Sequence, residues 1–282
     1  MKLHSFNIAN FRIDGGAMFG VVPKLIWSNH IEADEDNLIP LALRSLVIET
    51  EDRIILIDNG IGDKQGKKFL NRLNIFGGEG LEGGLAKGGY SFSDITDVIL
   101  THLHFDHCGG SVSKDPDGKL IPTFPKARYW ISRKQWENAI NPNPREADSF
   151  LSENLLPIQE SGVLMFVEHA GEFCSGVDLR LVDGHTPGQI IPIIRLADKT
   201  LIFGADLFPT KAHVPVKYNM AYDLEVTKTM EEKTAFLDEF AGTGTAIFFE
   251  HDTLHECGLV SKTDKGFKVT SSYSLNEWLS LP

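Results

Sequence analysis

Residues Thr101 to Gly110 read Thr-His-Leu-His-Phe-Asp-His-Cys-Gly-Gly. Three histidines and one carboxylate fall within His102–His107, directly after the apolar run Val98-Ile99-Leu100. Imidazole and carboxylate suit a borderline-soft divalent ion such as Zn²⁺. His102 and His104 are two apart, so on an extended turn both rings point to one side and share an ion. Asp106 and His107 are adjacent, point elsewhere and serve a second ion close by. Clustering such groups for no purpose is costly, so the loop reads as half of a dinuclear centre. Asp97–Thr101 reads as a strand, which puts the cluster at a strand's C-terminal end, where α/β proteins keep their chemistry.

The missing ligands follow downstream. Leu181-Val-Asp-Gly-His185-Thr-Pro-Gly188 places a histidine in a sharp turn after a strand. Phe203-Gly-Ala-Asp206 ends another strand in a carboxylate, and Phe248-Phe-Glu-His251-Asp252 puts a histidine after the last apolar run. His255, four residues on, competes with His251, but the preceding strand favours His251. Strand ends on a rigid sheet are where side chains are held in fixed positions.

These motifs, THLHFDH, GHTPGQ, FGAD and FFEHD, resemble in order and spacing the metal-binding motifs of the metallo-β-lactamase superfamily. The likeness runs from the hairpin Leu43–Asp58 to His251. It implies an α+β fold, a four-layer αβ/βα sandwich with two mixed sheets face to face and helices outside. It places His102, His104 and His185 on the first metal, Asp106, His107 and His251 on the second, and Asp206 between them. Asp58, in Leu56-Ile-Asp-Asn-Gly60, resembles the family's strand-ending turn and would orient a ligand imidazole from behind. The wording HLHFDHCGG is most similar to the lactonase-type and esterase-like branch. Where homoserine lactonases carry a tyrosine shortly after the bridging aspartate, this chain has Leu207-Phe208-Pro209. Tyr218 or Tyr222 is left to fill that place.

The rest of the chain bounds the reading. It has 282 residues, 42% of them hydrophobic, and reads as one domain over residues 1–282 with no linker or repeat. The net charge of −12 disfavours nucleic acid as a partner. The densest basic patch, Lys64 to Lys68, reads as a solvated face. Three widely spaced cysteines suggest no disulfide framework, and Cys108 reads as a small buried residue. The N-terminus lacks the apolar core of a signal peptide, and no run reaches the ~18–20 apolar residues of a membrane span. A cytoplasmic enzyme is expected, with a homo-oligomer left open.

Strands are expected at 43–50, 53–58, 97–101, 127–131, 164–167, 179–182, 189–194, 201–203 and 246–249. Helices are expected at Arg133–Ile140, capped by Ser132, and over Leu224–Phe240, burying Met230, Ala235, Phe236, Leu237 and Phe240. Residues 62–92, rich in glycine, read as a loop.

Two divalent ions, Zn first with Fe, Mn or Co as alternatives, would acidify a water to attack a carbonyl or phosphoryl centre. Asp106 or a nearby phenol, Tyr222, would hand a proton to the leaving group. Phe69, Phe76, Phe208 and His213 are candidate pocket residues, and Met18 and Phe19 candidate lip residues, for an apolar or amphiphilic small molecule. The expected reaction is opening of a lactone or ester. A hydroxyacylglutathione-type thioesterase, a phosphoester hydrolase and a non-catalytic metal binder are the alternatives.

Overall fold

The computed structural model describes residues 1–281. The chain forms two compact units, Met1–Phe11 with Ala42–His169, and Arg12–Leu41 with the residues from Ala170 onward.

The first unit is built on a six-stranded mixed sheet. Its strands are β1 (Lys2–Asp14), β2 (Leu38–Glu49), β3 (Ile54–Ile57), β4 (Asp97–Ile99), β7 (Arg128–Ser132) and β8 (Leu164–Val167), in the order β1-β2-β3-β4-β7-β8. The unit boundaries fall inside β1 and β2. Strands β5 (Val112–Lys114) and β6 (Leu120–Pro122) form a separate antiparallel pair. Strands β2 and β3 are antiparallel, while β3, β4, β7 and β8 run parallel. In β2 the residues Ala42 to Ile48 are buried without alternation, the signature of a strand covered on both faces. Parallel β3 and β4 end side by side, so Asp58 and Thr101 emerge at one sheet edge.

The second unit holds a seven-stranded sheet. It comprises β9 (Gly171–Cys174), β10 (Val177–Val182), β11 (Gln189–Arg195), β12 (Thr200–Phe203), β13 (Ala246–Phe248), β14 (Cys257–Thr263) and β15 (Gly266–Tyr273), in reverse order across the sheet. Within this seven-stranded sheet, among the described residues, β12 and β13 alone pair in parallel. That pairing brings the ends of both strands, and the residues that follow, to the same edge.

Every strand expected from periodicity is present, within a few residues. The helix Arg133–Ile140 is capped as expected, Ser132 Oγ accepting from the Gln135 backbone N–H at 3.1 Å. Strands β1, β5, β6, β9, β14 and β15 and the helix Ser152–Glu160 fall outside the expected set.

Residues 62–92 are no open loop. They contain the helices Lys67–Arg72 and Leu81–Lys87, and backbone hydrogen bonds join Phe76 to Asn10, Glu79 to Asn7 and Gly80 to Ile8. Gly78, at φ +78°, runs so close to β1 that a Cβ would collide with the Ile8 carbonyl. The glycines therefore serve close packing.

The helix Val226–Phe240 buries Thr229, Lys233, Phe236 and Leu237, whereas Ala235 is exposed and Met230 and Phe240 are half-buried. The stripe is rotated so that a lysine lies in it. Lys233 Nζ donates to the Tyr218 carbonyl at 2.7 Å, with the Phe208 ring 5.8 Å away, and burial pulls its pKa down to about 7. Lys64 also departs from its expected solvated place: it is buried and donates to the Gly109 carbonyl.

Candidate metal centre

Each unit carries a set of ligand-grade side chains at the ends of its central strands. In the first unit the organiser is Asp58, which follows β3 and is wholly buried. Its backbone sits at φ 50°, a conformation that costs a non-glycine residue about 1–3 kcal/mol. That turn aims the carboxylate at the next strand end. Thr101 donates to it twice, from its backbone N–H at 2.8 Å and its hydroxyl at 2.6 Å, and His107 Nδ1 donates at 3.1 Å. These contacts set the Asp58 carboxylate against the His107 ring.

The partners decide where the ring protons lie. The Thr101 hydroxyl spends its proton on Asp58, so it accepts from His102 Nδ1 at 3.1 Å. His104 Nε2 donates to Glu146 Oε1 at 3.0 Å. In the singly protonated tautomers that these contacts favour, His102 Nε2 and His104 Nδ1 are the lone-pair nitrogens, and they lie 3.1 Å apart. His107, with its proton on Nδ1, turns an unprotonated Nε2 toward Asp106 Oδ2 at 3.8 Å. Lone pairs facing lone pairs repel unless a positive charge sits against them.

The second unit repeats the pattern. His185 Nδ1 donates to Asp223 Oδ1 at 2.9 Å, and its Nε2 faces Asp206 Oδ2 at 3.2 Å. The other oxygen of Asp206 faces His251 Nε2 at 3.1 Å. One carboxylate thus spreads its two oxygens to two imidazoles. Ala205, at φ 41°, turns the backbone to present it. The His185 turn is fastened to the helix Val226–Phe240: Glu232 accepts from the backbone N–H groups of Asp183 and Gly184, and Glu225 N–H donates to Gly184. A Cβ on Gly184 would collide with the Thr229 backbone.

The donor atoms in both units are imidazole nitrogens and carboxylate oxygens, which suit Zn²⁺ and also Fe, Mn and Co. Cys108 adds no ligand. Burial pushes its thiol up to about 12, and Sγ donates to the Leu103 carbonyl.

Asp106 lies at the partly open side of the first unit's set, its side chain 16% exposed. Phe69 packs edge-on against Phe105 of the metal loop, ring centres 5.2 Å apart. Phe76 is 41% exposed on the segment bound to β1, and Tyr222 is 39% exposed in the second unit. Phe208 and His213 are placed otherwise than a pocket lining requires. Phe208 is wholly buried, edge-on to Phe236. His213 is buried with its ring stacked on Phe19, Nδ1 on Thr210 Oγ1 at 2.8 Å and Nε2 on the Met18 carbonyl at 2.8 Å. Burial lowers its pKa to about 3, so the ring is neutral and structural. Met18 and Phe19 are likewise core residues of the second unit.

Sequence reasoning missed Glu146 and Asp223. Asp223 sits beside Tyr222 in a turn that drew attention only for its phenol. Glu146 gave no local signal.

Residues 40–251 match the family model described as the metallo-beta-lactamase superfamily. The chain belongs to that superfamily and, with it, to the metallo-hydrolases. It is 28% identical over 255 residues to an N-acyl homoserine lactonase of Bacillus cereus, covering 84% of this chain and 88% of that protein. A Bacillus sp. N-acyl homoserine lactonase is 28% identical over 166 residues, 54% of this chain, and the match spans little more than half of that relative's length, 58%. Among solved structures, a probable metal-dependent hydrolase from Staphylococcus aureus superposes with a TM-score of 0.85 at 28% identity, covering 97% of this chain and 98% of that one. AidC, a dizinc quorum-quenching lactonase in complex with a homoserine product, gives 0.79 at 22% identity, covering 98% of this chain and 97% of its own, and shows the same metallo-β-lactamase fold. Among the described residues no helix is long and apolar enough to cross a membrane.

Proposed function

We propose that the ligand sets of the two units act together to hold two divalent metal ions, zinc first, and that the protein hydrolyses a lactone or related ester of a small amphiphilic molecule. The observation that carries the reading is Asp206, whose two oxygens face His185 Nε2 and His251 Nε2 at 3.2 and 3.1 Å, as a carboxylate shared between two ions requires. His102, His104 and His185 would serve one ion, Asp106, His107 and His251 the other. When bound, the metals supply a Lewis acid and acidify a water.

The protein groups do the rest. Asp58, Glu146 and Asp223 hold His107, His104 and His185 in the tautomers that present an unprotonated nitrogen to a metal. Asp106, at the open side of its set, takes a proton from the attacking water and returns it to the leaving oxygen. Tyr222 is the alternative donor, through its phenol. Phe69 and Phe105 offer apolar surface beside the metal loop, in keeping with an acyl-bearing substrate. The N-acyl homoserine lactonase relatives make such lactones the first to try.

The test is elemental analysis of protein purified without added metal, followed by turnover of lactones, thioesters and phosphotriesters with and without chelator. Chelator-sensitive lactone opening with about two metal equivalents is expected. Faster thioester or phosphotriester turnover moves the assignment to that class, and metal uptake without any turnover refutes the enzymatic reading.

A further inference from the structure

The first unit contains a cavity of about 540 Å³ that shares no residue with the metal ligands. Its apolar wall includes Ile8, Leu43, Ile61, Leu81, Phe92 and Val112. That volume lies in the ordinary range for a small-molecule site. Three carboxylates, Asp63, Glu79 and Glu82, also line it; Glu79 is paired with Lys87 at 2.9 Å, so Asp63 and Glu82 set its charge, and no lysine, arginine or histidine lines it.

Two buried polar atoms belong to the lining. Asn59 is wholly buried; its Nδ2 donates to Ser111 Oγ at 2.8 Å, and its Oδ1 has no partner. Thr123 Oγ1 is also buried without a partner. A buried acceptor left unsatisfied is unfavourable and calls for an explanation, and a bound donor supplies one. The floor of the cavity is also the back of the metal loop. Asn59 N–H donates to the His107 carbonyl at 2.9 Å, and Gly110 N–H to the Gly60 carbonyl at 3.1 Å.

We infer that this cavity is a second binding site, for a primary ammonium carrying a short apolar chain. The chain takes the aliphatic wall, the N–H groups reach Asn59 and Thr123, and the carboxylates favour a cation over an anion. Because Asn59 holds both the cavity floor and the His107 backbone, occupancy bears on the metal loop from behind. The inference does not depend on which substrate the metal centre takes.

Calorimetric titration of the full-length protein with hexylammonium, hexanamide and hexanoate tests it. The ammonium is expected to bind tightest and the carboxylate at least about tenfold more weakly. Gly83 lines the cavity, and a Cβ there meets no atom within 4 Å. Gly83→Leu should therefore fill the cavity and weaken hexylammonium by about tenfold or more. Neutralising the exposed acids with Asp63→Asn and Glu82→Gln should weaken the ammonium and leave the amide unchanged; this arm stands even where Gly83→Leu fails to fold. Hexanoate binding as tightly as hexylammonium, unchanged affinity in both variants, or no binding of any of the three overturns the proposal. Binding that persists in Gly83→Leu but vanishes with chelator assigns the amine to the metals instead and equally overturns it.

Discussion

Glu146→Gln is a change of one atom with a large expected effect. Glu146 Oε1 accepts from His104 Nε2 at 3.0 Å, while Oε2 accepts from Asn138 Nδ2 at 2.8 Å and Asn143 Nδ2 at 3.3 Å. A glutamine amide has one oxygen and one NH₂. Against two asparagine donors the oxygen is the better fit, which turns the NH₂ toward His104 Nε2. His104 must then move its proton to Nδ1, the atom that faces His102 Nε2 at 3.1 Å and that would take the metal in the proposed site. The opposite amide orientation sets its NH₂ against two asparagine NH₂ groups.

Either way the tautomer that exposes Nδ1 loses support. Partners of this kind are worth about 10–100-fold in metal affinity, or roughly 1.4–2.7 kcal/mol. The assay is metal competition against a chromophoric chelator, with the His104 tautomer read from its ¹⁵N shifts in the metal-free protein. Glu146→Asp, which keeps the charge, should recover part of the loss. Wild-type metal affinity with an unchanged His104 tautomer in Glu146→Gln would refute the reasoning.

Three further outcomes follow from the same structure. Lys233 loses its proton at about pH 7 in the folded protein, whereas an unfolded lysine keeps it to about 10.4, so the unfolded state binds more protons between those values and stability should rise with pH across that window. Urea unfolding at pH 7 to 10 should show that rise in the wild type and a flatter profile in Lys233→Met; equal slopes would exclude Lys233 as its source. Gly184→Ala sets a methyl against the Thr229 backbone and should lower stability by roughly 1–3 kcal/mol, read as a lower denaturation midpoint. Two bound ions would stabilise the folded state alone, so chelation should lower the thermal midpoint by roughly ten degrees. A chelator-insensitive midpoint would argue against two bound ions.

The seven candidate ligands were legible in the amino-acid sequence because their signals are local. Each follows an apolar run of strand length and sits in a turn marked by glycine, proline or a neighbouring acid, as in Gly184-His185-Thr186-Pro187. Strand periodicity, the cap at Ser132 and the hairpin of β2 and β3 are equally short-range, and all are present. Glycine-rich 62–92 misled because glycine marks close backbone packing as well as loops, and only the path of β1 distinguishes the two.

Tertiary structure alone decided which groups hold the ligands. His104 and Glu146 are 42 residues apart, and His185 and Asp223 are 38 apart, so no window of periodicity contains both members of either pair. It also decided that Lys233 lies inside the helix stripe and that His213 and Phe208 belong to the core. A side chain's burial depends on what the rest of the chain brings against it, and residue order encodes that only through the completed fold. The candidate ligands are written along the chain; the partners that would orient them for a metal exist only once distant acids have been brought alongside.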